Sequence, residues 1–88
     1  MIKHYRKLPV VVQVVQYTGK EDSFFEVQRF VGRDFIPYSF TGFDNSCGIK
    51  TLEGTHIVSP GDFIIRGVKG EFYACKPGIF HLTYEEVN

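Results

Sequence analysis

The sequence predicts an α+β domain: a strongly bent antiparallel β-sheet of five or six strands, or a small partly closed barrel, with one helix packed on it. Three observations point there. A β-branched run covers Val10 to Tyr17, an amphipathic stretch covers Ser23 to Val31, and from Tyr38 onward short extended runs alternate with turn residues. The 88 residues leave room for a single domain, 1–88, with one small core.

The first element, VVVQVVQY from Val10 to Tyr17, lies between Pro9 and Thr18-Gly19 and reads as a strand. Valines of both parities suggest a central strand covered on both faces. Next, Ser23 and Glu26 have capping-box spacing, Phe24, Val27, Phe30 and Val31 share one helical face, and Gly32 supplies a stop. The expected helix spans residues 23–31. The meander that follows has expected strands near 38–43, 48–52, 55–58, 62–68 and 71–75. Asp44-Asn45-Ser46, Glu53-Gly54, Pro60-Gly61 and Lys69-Gly70 serve as its turns. Pro77 then opens a single helical turn through Phe80, and Thr83 to Val87 closes the chain as a candidate last strand.

Composition narrows the function. Ten basic and ten acidic side chains give a formal charge of zero, so no overall field steers the molecule toward DNA or an anionic membrane. Nine Phe and five Tyr without Trp make an aromatic core. Cys47 and Cys75 form no CxxC and are too few for a disulfide scaffold, which implies two free thiols in a reducing cytoplasm. No apolar run has the length or flanks of a membrane span or signal peptide, so no membrane role is expected.

Gly67-Val68-Lys69-Gly70 matches the GxxG that clamps a nucleic-acid backbone between two helices. Here the flanks, Phe63-Ile64-Ile65 and Phe72-Tyr73-Ala74-Cys75, are strand-forming, and they favour a hairpin. A two-residue Lys69-Gly70 turn would set Val68 against Glu71, Gly67 against Phe72, Arg66 against Tyr73 and Ile65 against Ala74. Phe72 would then cover Gly67, and the Arg66 guanidinium would lie on the Tyr73 ring.

Other candidate chemistry is thin. Ser59-Pro60-Gly61-Asp62 reads as a type II turn more readily than as an anion nest. His4, His56 and His81 lack metal-ligand spacing, with His56 expected opposite Thr51 and His81 on the exposed side of a short turn. No nucleophile elbow, carboxylate pair or phosphate loop is present, and no cofactor is implied. Two binding candidates remain. One is the basic arm of Lys3, His4, Arg6 and Lys7 with Tyr5 interleaved; the other is the charged and aromatic set Arg66, Lys69, Glu71, Tyr73 and Lys76 around the last hairpin.

TLEGTHIVSPGDFIIRGVKGEFYACKPGIFHLTYE (Thr51 to Glu85), together with KLPVVVQVVQY (Lys7 to Tyr17), resembles a family of small uncharacterised bacteriophage and prophage proteins. Residues 18–50 carry little of the resemblance, and Ala74 stands where such proteins often have Pro. The resemblance implies a phage origin and a bacterial host cytoplasm, and brings no catalytic residues with it. The expected function is a non-enzymatic binding protein that modulates a host or phage macromolecule. A virion or head-tail accessory that self-associates into a homo-oligomer, a nucleic-acid-binding module and a nucleotide or other small-molecule binder are the alternatives.

Overall fold

In a computed structural model, residues 1–37 and 46–87 are described. The expected strand at 38–43 and most of the Asp44-Asn45-Ser46 turn lie outside them. Among the described residues, six strands and two helices follow in the order β1 (Gln13–Gln16), α1 (Glu21–Val31), β2 (Phe35–Ile36), β3 (Cys47–Thr51), β4 (Gly54–Val58), β5 (Phe63–Arg66), β6 (Phe72–Cys75) and α2 (Pro77–Thr83). A short 3-10 turn, Gly32–Asp34, links α1 to β2.

The strands form two three-stranded antiparallel sheets, β1-β5-β6 and β2-β3-β4, in place of one bent sheet or a closed barrel. The sheets separate at Ser59–Asp62, where Asp62 N–H bonds Ser59 O at 3.0 Å and Gly61 adopts φ 99°. This is the type II geometry expected for Pro-Gly in the central positions. The same turn is anchored to the first sheet, because Gly61 N–H donates to Tyr17 O and Tyr17 N–H donates to Asp62 O.

Between the sheets lies the core. Opposed residues share a face, so Val15, Ile64 and Ala74 of one sheet point the same way, toward Phe35, Cys47, Ile49 and Val58 of the other. Helix α1 inserts Phe24, Val27 and Val31, all buried, with Phe24 edge-on to Phe35 at 5.0 Å and Phe30 edge-on to Phe72 at 5.4 Å. Each such Val or Ile buried from water contributes about 1.5–3 kcal/mol. Helix α2 covers the opposite face of β1-β5-β6. Its Phe80 stacks on Phe63 at 3.9 Å and on Tyr84 at 5.0 Å, and Tyr84 Oη lies 3.1 Å from Tyr73 Oη.

Several expectations change. Among the described residues the first strand is an edge strand, four residues long: its one partner there, β5, ends at Arg66 opposite Gln13, so Val10–Val12 pair with no described strand. Helix α1 begins two residues early and has no capping box: Ser23 Oγ instead donates to Gln16 O at 3.2 Å and accepts Thr18 N–H at 2.9 Å, tying the helix to β1. Gly32 does end the helix, at φ 74°. His56 pairs with Ile49, and Thr51 with Gly54, because the β3–β4 loop is Leu52-Glu53. The single turn after Pro77 becomes a seven-residue helix, closed by Tyr84 N–H on Phe80 O, and residues 84–87 form no strand. Phe80 and Tyr84 stack instead over the sheet face through Phe63.

Candidate functional site

The hairpin between β5 and β6 closes through a three-residue loop, Val68-Lys69-Gly70. Gly67 N–H donates to Glu71 O at 2.7 Å, Gly70 N–H donates to Gly67 O at 3.0 Å, and Gly70 takes φ 82°. This is a type I turn followed by a left-handed glycine, the usual three-residue hairpin connection. It shifts the register by one from the two-residue expectation. Arg66 faces Phe72, Ile65 faces Tyr73, Ile64 faces Ala74 and Phe63 faces Cys75. Because successive side chains point to opposite faces, Arg66 and Tyr73 fall on different sides of the sheet and do not stack.

The loop has no phosphate-clamp geometry. Lys69 N–H, an amide that such a clamp would turn toward an anion, donates to Glu71 Oε1 at 3.0 Å, so a carboxylate already occupies that position. A phosphate approaching Lys69 would meet this negative charge.

The five hairpin candidates therefore do not make one surface. Arg66, Lys69 and Glu71 cluster at the exposed tip, where a Cβ added at Gly70 would lie 3.9 Å from the Arg66 guanidinium. Tyr73 sits half-buried beneath α2, its hydroxyl pushed up to about 12 by burial and by its bond to Tyr84. Lys76 lies five residues beyond Glu71, about 16 Å along an extended chain. Its ammonium is 3.0 Å from both carboxylate oxygens of Asp62.

That ion pair belongs to a cleft of about 420 Å³ between the edges of the two sheets. Thr55, His56 and Ile57 of β4 form one wall, and Ala74, Cys75 and Lys76 form the other, with Asp62 at the base. The Asp62 carboxylate is buried and also accepts Ser59 N–H at 2.9 Å, so its charge is compensated from two sides. The Cys47 thiol is buried in the core and pushed up to about 11, first by burial and then by the negative Asp62. A thiol so shifted is protonated at neutral pH and is a poor nucleophile. No cluster of three or more His, Cys, Asp or Glu suited to a metal ion occurs among the described residues. No helix among them is long and apolar enough to cross a membrane.

Two features escape sequence reasoning. The Asp62–Lys76 pair joins residues 14 apart across the β5–β6 hairpin, and charge spacing gives no local sign of it. The Phe63–Phe80–Tyr84 stack had a partial sign, since Phe80 and Tyr84 stand at i and i+4, the spacing of neighbours on a helix. That stack consumes the inward side of α2. The remaining large side chains, Ile79 at 61% and Leu82 at 90% exposure, stand three residues apart on its outer side. The arm passes close to this end of the fold, with Lys7 Nζ 5.9 Å from the centre of the Tyr84 ring.

Comparisons of the chain with protein families, curated proteins and solved structures found no match.

Proposed function

We propose that the protein works by binding another protein, of host or phage origin, without turning over a substrate, and that α2 carries the contact. The observation behind this reading is the outward pair Ile79 and Leu82. A seven-residue helix that already places Phe80 on the sheet has no structural need for two further apolar side chains in water. Hydrophobic side chains of this kind, flanked by polar groups, are what a protein partner desolvates. Around them stand exposed His81, Thr83 and Glu85, which suit a polar rim.

The groups available for chemistry support the same reading by their resting states. The Asp62 carboxylate is paired with the Lys76 ammonium and accepts Ser59 N–H, and the Cys47 thiol is held protonated in the core. The resemblance to phage and prophage proteins supplies the setting, an infected or lysogenic bacterial cell.

The test is affinity capture from host lysate with the wild-type chain and with an Ile79→Asp/Leu82→Asp variant. A saturable protein partner that survives nuclease and is lost in the variant supports the reading. Turnover of a substrate by the pure protein, or capture of nucleic acid alone, overturns it.

A further inference from the structure

We infer that residues 1–8 fold as a short basic amphipathic helix on an anionic lipid surface, holding the protein to the membrane interface without spanning it. The formal charge of zero is divided unevenly. Residues 1–12 hold three of the ten Lys and Arg and none of the ten Asp and Glu, so this arm is +3 and the rest of the chain −3. Residues 1–11 are all exposed, and residues 1–12 form no helix or strand. Ile2, Tyr5 and Leu8 are 88%, 87% and 76% exposed. Lys7 Nζ, 5.9 Å from the centre of the Tyr84 ring, is at the outer limit of a cation–π contact and holds the arm loosely.

The order of these residues fits one backbone conformation. At about 100° per residue, Ile2, Tyr5 and Leu8 fall within roughly 120° on one side of a helix, and Lys3, His4, Arg6 and Lys7 within roughly 160° on the other. An extended chain, whose side chains alternate, would instead mix Ile2 and Leu8 with His4 and Arg6, and Tyr5 with Lys3 and Lys7. Pro9 ends the helix, because the residue before a proline is disfavoured in the α region, and β1 begins only at Gln13. Two turns are too short to be stable alone in water. A surface that takes up the apolar side is required, and without one the arm is irregular.

A lipid interface supplies what both sides of the helix need, anionic headgroups above hydrocarbon. Lys and Arg reach the headgroups while their methylenes stay against the acyl region, and Tyr5 suits the boundary between the two. A nucleic-acid backbone would engage Lys3, Arg6 and Lys7 and leave Ile2, Tyr5 and Leu8 in water. A protein groove would need acidic walls and a floor shaped to three side chains, whereas a bilayer needs no matching shape. The negative body does not prevent the approach. Residues 9–12, about 13 Å when extended, separate the helix from β1 by more than the Debye length of about 8 Å at physiological salt.

The experiment is co-sedimentation of the full chain with sucrose-loaded vesicles, either pure phosphatidylcholine or one-third phosphatidylglycerol, up to ~5 mM lipid. Wild type is expected to bind only the anionic vesicles, weakly and reversibly, with a gain of helix by circular dichroism and loss of binding as salt rises from ~0.05 to ~0.5 M. Each Lys or Arg near such a surface strengthens binding about fivefold, so Lys3→Glu/Arg6→Glu/Lys7→Glu should weaken it roughly 100-fold or more. Ile2→Ser/Tyr5→Ser/Leu8→Ser should weaken it at least about tenfold, and the helix breaker Arg6→Pro should bind at least about tenfold more weakly than Arg6→Ala. These positions lie outside the packed fold, so thermal melting should not change. No binding by wild type at the highest lipid concentration, binding retained by the serine variant, or Arg6→Pro binding as tightly as Arg6→Ala overturns the inference. Arm-dependent capture of an acidic protein or nucleic acid by a chain that leaves the vesicles unbound does the same.

Discussion

Asp62 is the residue whose removal most directly tests how the two sheets are joined. Its carboxylate is 2% exposed, accepts Ser59 N–H at 2.9 Å and holds the Lys76 ammonium at 3.0 Å. The Asp62→Ala change leaves the Ser59 amide without its acceptor, at a cost of about 1–3 kcal/mol. The lost ion pair adds under ~1 kcal/mol, because the Lys76 side chain is 62% exposed and returns to water. A loss of about 2–3 kcal/mol in all, read by urea unfolding, corresponds to a drop in Tm of roughly 10–20 °C for a domain of this size. Asp62→Asn keeps an acceptor for Ser59 and should lose only about 1 kcal/mol. If Asp62→Ala falls within about 0.5 kcal/mol of wild type, the turn is held by its backbone bonds to Tyr17 alone. If Asn is as damaging as Ala, charge and not the amide acceptor is what matters. Either result refutes the reasoning.

Two further predictions concern the hairpin and the buried thiol. Gly70→Ala should cost about 1–2 kcal/mol, because φ 82° is strained for any residue with a Cβ. Gly67→Ala should cost less, since the added Cβ meets only the movable carboxylate of Glu71; equal losses in thermal melting would contradict the three-residue loop. For Cys47, the pKa is raised from 9.0 to about 11 in the fold, so from pH 9 to 11 the unfolded chain loses this proton while the native one keeps it. Stability is then fully present below about pH 8.5 and falls as pH rises through 11, by at most about 3 kcal/mol. Urea midpoints at pH 8 and pH 10.5 should show the fall, and Cys47→Ala should reduce it. A stability that rises over this interval would contradict the burial of the thiol.

The parts of the fold legible in the sequence were those governed by local chemistry. Gly32 as the end of α1, Phe24, Val27 and Val31 as its buried face, and Pro60-Gly61 as a type II turn each follow from a residue's own conformational preference or periodicity. The parts misjudged depend on what lies across space. Ser23 has the chemistry of a helix cap, yet its hydroxyl is engaged by Gln16 and Thr18. Val10–Val12 have strand propensity but no strand partner among the described residues, because β5 ends at Arg66 opposite Gln13. Lys69-Gly70 is a good two-residue turn in isolation. Gly70 alone supplies the left-handed residue of a longer loop here, and that one-residue difference separates Arg66 from Tyr73. The candidate site was the least legible part. Ile79 and Leu82 look like ordinary core positions until the stack of Phe80 on Phe63 shows which side of α2 faces inward.

The most direct test of the binding role is quantitative mass spectrometry of material captured from host lysate. It compares wild type, Ile79→Asp/Leu82→Asp and the arm variant Arg6→Pro, each with nuclease and at two salt concentrations. One protein retained by wild type and Arg6→Pro and lost from the α2 variant is the predicted result. A protein held equally by all three, or only nucleic acid that disappears at high salt, would contradict the assignment of the contact to α2.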